Sequence, residues 1–227
     1  MANVCMILGK SGTGKSTSIK GLNPKETLVI NILKKRLPFK GSSTIYSKEN
    51  KNLIQISNYQ DVIQVLNTVE KENPSIKNIV IDDAIFIMSK EFFSRAKEIG
   101  YGKFTELAQH FQQVIAACES MKNSYNIFLL LHAEDVKSDN IIVSYKVRTI
   151  GKLLDDQYNP FEVVPMVLFS DVKFDEKGKP AYGFYTHTTI EGGTKIPAKS
   201  PDGMFEEDWI DNNLQLVVDK MSKFYNE

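Results

Sequence analysis

The chain has 227 residues, 42% hydrophobic and 25% charged, the profile of a globular protein with one large domain, or one domain and an appendage. Its 28 basic side chains balance 28 acidic ones, which excludes a whole-molecule field drawing the chain onto nucleic acid; any polyanion site must be a local patch. No basic region followed by a long apolar stretch opens the chain and its apolar runs fall far short of a membrane span, so a cytoplasmic protein with no membrane partner is expected, its Cys5 and Cys118 buried as thiols.

The first element is an apolar run, Val4 to Leu8, expected as a strand. Gly9-Lys10-Ser11-Gly12-Thr13-Gly14-Lys15-Ser16 follows it and fits G-x-x-x-x-G-K-[ST] in full. Such a loop wraps a phosphate chain with successive backbone N–H groups, and its glycines permit the tight turn and the close approach. The run STSIKGL reads as a helix whose N-terminus faces the same anion. Lys15 is placed to reach the β- and γ-phosphates, the Ser16 hydroxyl to hold Mg²⁺, and Thr17 to lie near the α-phosphate.

Glu26 to Ile32 (ETLVINI) is the second strand candidate. Lys34, Lys35, Arg36 and Lys40 crowd the loop after it and read as solvated surface charge. Asn52 to Ser57 is a third strand, paired with STIY through the polar turn SKENKN. Asp61 is placed to cap a helix carrying Val62, Val65, Leu66 and Val69 at helical spacing, and Pro74 lies beyond its end. In NIVIDDA, three β-branched residues form a buried strand with two acids at its end. Ligands of an open parallel sheet bind at the carboxyl ends of its strands, so Asp82 suits magnesium and Asp83 a general base acting on water.

Two helical stretches follow, separated by Gly100 and Gly102; in the second, Phe104, Leu107, Ala108, Phe111, Ile115 and Cys118 make a core stripe. YNIFLLLHAED is a further buried strand closed by His132, which is placed either to sense the γ-phosphate or to make an ordinary backbone contact. Beyond residue 135, β-branched and aromatic residues mark more strands, with DEKGKP as the turn of an antiparallel hairpin. Phe169, Phe174, Tyr182, Phe184 and Tyr185 either pack one sheet face or stack on bases. Arg148 and Lys152 flank Gly151, where a cation can reach a γ-phosphate in the same or a neighbouring subunit. The expected fold is α/β: a mainly parallel central sheet flanked by helices, with right-handed crossovers and an antiparallel hairpin extension in the C-terminal third. It divides into one P-loop domain over residues 1–205 and an acidic helical tail over 206–227.

Taken together, GKSGTGKST, LPFKG, IVIDDA, IGKLLDD and KIPAKSPDGMFEEDWI resemble a family of phage nucleotide-binding proteins. These look like single-domain relatives of the RecA ATPase core, and some are linked to single-strand annealing recombination. The P-loop marks only the superfamily; GKLLDD and KIPAKSPDGMFE carry the family resemblance. It implies ATP and Mg²⁺ bound between Gly9–Thr17 and Asp82, and identical subunits forming rings or filaments on single-stranded DNA in the host cytoplasm. It also implies Lys152 reaching the next subunit's nucleotide, and it admits a single-strand binding protein as a further partner. The chain departs from the pattern at one place. RecA-type cores carry a catalytic glutamate after the second strand, where this chain reads NILKKR. Either Asp83 substitutes for it, or hydrolysis is slow and the protein is a nucleotide-dependent switch. A small-molecule or nucleoside kinase is the other rival, but such enzymes use an arginine-rich lid and this chain has only Arg36, Arg95 and Arg148.

Overall fold

The computed structural model describes residues 1–151 and 157–226. Uninterrupted Val, Ile and Leu runs give strands buried on both faces: β1 (Asn3–Gly9), β2 (Thr27–Asn31), β4 (Asn78–Asp82) and the first half of β5 (Asn126–Ser138). A short β3 (Leu53–Ile54) sits on the edge beside β2. β7 (Met166–Phe174) runs parallel to β1 on its other side, and β8 (Pro180–Tyr185) and β11 (Trp209–Asp211) continue the sheet antiparallel. The strand order is β3-β2-β4-β5-β1-β7-β8-β11. This is the mainly parallel α/β sheet expected, with its hairpin formed by β7 and β8 across Asp175–Lys179. The distal half of β5 instead folds back on β6 (Ile141–Val147), and β9 (Thr189–Glu191) and β10 (Thr194–Ile196) pair beside β6.

Alternating residues of the central strands feed two cores. Val4, Met6 and Leu8 face α2 (Tyr59–Glu72) and α4 (Gly102–Ser120), meeting Val62, Leu66, Phe111 and Ile115. Cys5 and Ile7 face the other way, onto Ile19, Leu22 and the C-terminal helix. Each fully buried side chain of this size contributes roughly 1.5–3 kcal/mol of transfer free energy, and the two faces together hold the sheet rigid beneath its loops. Both thiols are free and fully buried, one in each core.

Several local expectations gave way to tertiary contacts. STIY is a one-turn helix, α1 (Ser42–Ile45), because Tyr46 is drawn into the core and the Asn52 amide bonds the Ile45 carbonyl that a strand partner would otherwise take. The cap of α2 is Asn58, whose side chain accepts from the Asp61 backbone N–H at 2.8 Å; Asp61 itself lies in the first turn. The stretch after the P-loop is a six-residue 3₁₀ helix (Ser16–Gly21), ended by the extended Leu22 and by Pro24 two residues on. Phe169, Phe184 and Tyr185 are buried, so they pack the sheet; of the five aromatics considered for stacking, only Phe174 and Tyr182 are exposed. Within residues 206–227, β11 joins the sheet, and the last helix, α6 (Leu214–Asn226), buries Leu214, Val217 and Met221 against the 3₁₀ turn. Between β6 and β7 lies the one-turn α5 (Pro160–Val163).

Candidate functional site

The P-loop is moulded around its own backbone. Gly12 and Gly14 turn it at φ of 85° and 95°, and Gly9 lies so close to β7 that an added Cβ would stand 2.5 Å from the Ser170 carbonyl oxygen. Thr13 Oγ1 donates to the Lys10 carbonyl at 2.9 Å, and Ser170 Oγ donates to the Thr13 carbonyl at 2.7 Å. Inside this crown sits Lys15, only 6% exposed, its Nζ donating to the carbonyls of Gly9 at 2.8 Å and Lys10 at 2.6 Å. Burial pulls the Lys15 ammonium down to about 8, against the opposing pull of Asp83 and Asp82.

The next residue reaches the second acidic strand. Ser16 Oγ donates to Asp82 Oδ1 at 2.7 Å, although β5 lies between β1 and β4. The contact therefore spans one intervening strand. Burial pushes the Asp82 carboxyl up to about 6, in spite of the Ser16 hydroxyl and Lys15. A hydroxyl and a carboxylate side by side are hard oxygen donors. Magnesium keeps most of its shell as water and phosphate oxygen and takes one or two protein ligands, so this pair fits it. Among the described residues no group of three or more His, Cys, Asp and Glu side chains is arranged to hold a metal by protein ligands alone.

Asp83 sits one residue beyond the end of β4 in the left-handed region, at φ of 59°, a conformation aspartate tolerates better than most residues. The turn aims its carboxyl across the cleft. Asp83 Oδ1 is 3.0 Å from His132 Nε2, Oδ2 is 3.9 Å from Lys35 Nζ, and Phe86 meets the His132 ring edge-on at 5.5 Å. His132 does not close its strand: β5 continues to Ser138, and His132 sits where the strand leaves the main sheet for the β6 hairpin, opposite Gly9.

These groups line one cleft of about 750 Å³ at the carboxyl ends of the parallel strands. Ser11, Gly12, Gly14, Lys15, Ser16 and Thr17 form its floor, and Asp82, Asp83 and His132 form one wall. Gly9 and Thr13 shape the loop from beneath. The Lys10 side chain turns away from the cleft: it pairs with Asp135 at 2.6 Å and lies over the Tyr145 ring, leaving its backbone to serve the loop. Arg148 is exposed just past β6, its backbone N–H bonded to the His132 carbonyl. Lys152 lies outside the described residues.

Five lining residues were not anticipated as part of the site: Lys35, Arg36, Pro38, Tyr182 and Asn212. Lys35 and Arg36 follow β2, and β2 pairs with β4 so that Asn31 stands opposite Asp82. The sequence signal was there in part, since loops after parallel strands open on one edge of the sheet; what was missing was the adjacency of β2 to β4. Tyr182 and Asn212 come from β8 and the end of β11, with the Asn212 amide against Gly14.

A family model described as an AAA domain matches residues 1–200. No curated protein matches the chain. Among solved structures, one that it resembles is a KaiC-like protein from the hyperthermophilic archaeon Pyrococcus horikoshii OT3, at 13% identity and a TM-score of 0.45, over 86% of this chain and 88% of that one. No helix among the described residues is long and apolar enough to cross a membrane.

Proposed function

The chain belongs to the AAA-domain family, and on that premise we propose that it is a Mg-ATP-dependent ATPase acting on single-stranded DNA in recombination or annealing. The observation that carries the nucleotide half is the 2.7 Å contact between Ser16 and Asp82 beside the buried Lys15. In this reading the loop amides and Lys15 hold the phosphate chain, Ser16 and Asp82 hold the metal, and Asp83 orients water for in-line attack on the γ-phosphorus. Magnesium, when bound, supplies charge neutralisation at the β- and γ-phosphate oxygens. Water's oxygen bonds to phosphorus, the bond to the β,γ-bridging oxygen breaks, and the water proton passes to Asp83. His132 fixes that carboxyl through Oδ1, while Oδ2 lies on the Lys35 side of the cleft.

The pH dependence of binding follows from the two displaced groups. Deprotonation of Asp82 creates the charge that a metal needs, so affinity for a Mg-nucleotide rises as pH increases through about 6. Deprotonation of Lys15 removes the charge that phosphates need, so affinity falls as pH passes about 8. Titrating a fluorescent nucleotide analogue across this range checks both limbs, and a flat profile contradicts the assignment of both residues.

Single-stranded DNA, ring or filament assembly and a single-strand binding protein as partner rest on the resemblance of LPFKG, IGKLLDD and KIPAKSPDGMFEEDWI. Phosphate release measured with and without a single-stranded oligonucleotide tests this half. Stimulation of several-fold, lost as salt rises, is the expected result. Release that is unchanged by DNA at any salt removes the recombination role and leaves a plain ATPase. The second reading, a slowly hydrolysing switch, is favoured by one observation: the loop after β2 brings Lys35 and Arg36 to the cleft where a RecA-type core would bring a glutamate. Single-turnover decay of bound ATP over many minutes would select it.

A further inference from the structure

The loop after β2 is the part of the cleft that the P-loop chemistry leaves unassigned. It is braced at both ends. The buried Asn31 side chain donates to the Lys35 carbonyl at 2.6 Å, Lys90 Nζ donates to the Ile32 carbonyl at 2.7 Å, and Ser42 Oγ donates to the carbonyl of buried Leu37 at 2.9 Å. Lys34 takes a left-handed turn, φ 59°, between these anchors. The bracing presents the Lys35 and Arg36 side chains to the cleft. Lys35 stands 3.9 Å from Asp83 Oδ2 and over the Phe86 ring, while Arg36 makes no ion pair among the described residues.

We propose that Lys35 and Arg36 form a terminal-phosphate clamp supplied within the same subunit, through which the site tells a nucleoside triphosphate from a diphosphate. The inference rests on the nucleotide reading above. Charge supports it first. Lys15 is set against the two carboxylates of Asp82 and Asp83; Lys35 and Arg36 bring the side chains lining the cleft to three cations against two carboxylates before any metal is counted. Position supports it second. Lys35 lies 3.9 Å from the carboxyl that adjoins the metal-side aspartate, the end at which the nucleotide reading above puts a third phosphate and not a second. Arg36 adds a guanidinium fork suited to phosphate oxygens. The same two cations explain how a site without an arginine-rich lid can still neutralise a terminal phosphate.

The test compares affinities for a nonhydrolysable ATP analogue and for ADP, both with Mg²⁺, by displacement of a fluorescent nucleotide. Wild type is compared with Lys35→Ala, Arg36→Ala and the double variant. Both side chains are exposed, so the fold should tolerate their loss, and Lys35→Gln retains most of the stem as a check. Each single variant is expected to weaken the triphosphate analogue about tenfold, the scale of one charge-assisted hydrogen bond, with ADP changed less than about twofold. Equal loss for both ligands, or no loss for either, overturns the clamp while leaving the nucleotide reading intact. Failure of the wild type to bind either ligand overturns the two together.

Discussion

Lys15→Ala should abolish nucleotide turnover, lowering kcat/KM by on the order of 10³-fold or more. The ammonium is the one cation enclosed by the P-loop itself, and its two carbonyl partners, Gly9 and Lys10, show where the loop holds it. No neighbour is placed to substitute: Lys10 is paired with Asp135 outside the cleft, and Lys35 stands at the Asp83 end. The substitution has a structural side as well, since it removes a donor from each of two loop carbonyls; the Lys10 carbonyl keeps Thr13 Oγ1, and the buried contact to the Gly9 carbonyl is lost at a cost of about 1–3 kcal/mol if water does not replace it. Thermal unfolding of the variant separates the two effects. A folded Lys15→Ala protein that turns ATP over within tenfold of wild type would sink the assignment of this loop as the catalytic phosphate site.

Asp83→Asn should also cost turnover heavily, about 10²–10⁴-fold in kcat, the range expected when a general base is removed. Nucleotide affinity should change little, within about threefold, because the residue acts on water and does not hold the phosphate chain. Asparagine is the informative replacement. It tolerates the left-handed backbone at φ 59° as well as aspartate does, and its side-chain oxygen can still accept from His132 Nε2. Alanine would confound lost chemistry with backbone strain. A full-rate Asp83→Asn enzyme would transfer the base to another group; one that loses binding and turnover together would recast Asp83 as a binding residue.

Much of the site could be read directly from the residues because its signals are local. The spacing of Gly9, Gly14, Lys15 and Ser16 is dictated by the shape of a phosphate chain, and it survives in any fold that presents it after a strand. Asp82 and Asp83 were legible for a related reason: a β-branched run ending in acids places them at the carboxyl edge of a parallel sheet wherever the strand inserts. The β7–β8 hairpin was equally plain, since Asp175 organises its own turn by accepting from the Lys177 and Lys179 backbone N–H groups.

Other features depended on which strands became neighbours, and no window of sequence carries that. Asn58 outcompeted Asp61 as the cap of α2 because the chain enters the helix extended at Asn58, three residues before Asp61. The run STIY has strand propensity, yet the burial of Tyr46 over the second core turned it into a helical turn. Lys35 and Arg36 looked like ordinary surface charge until the pairing of β2 with β4 brought them to the cleft, and Tyr182 and Asn212 reach it only because β8 and β11 extend the sheet past β7. The sequence by itself determined the phosphate loop and the acids that face it, since both are written in the chemistry of a few adjacent residues. The tertiary structure alone decided what surrounds them, because long-range strand order is set by the burial of two whole sheet faces, a sum over the chain to which each local stretch contributes only a part.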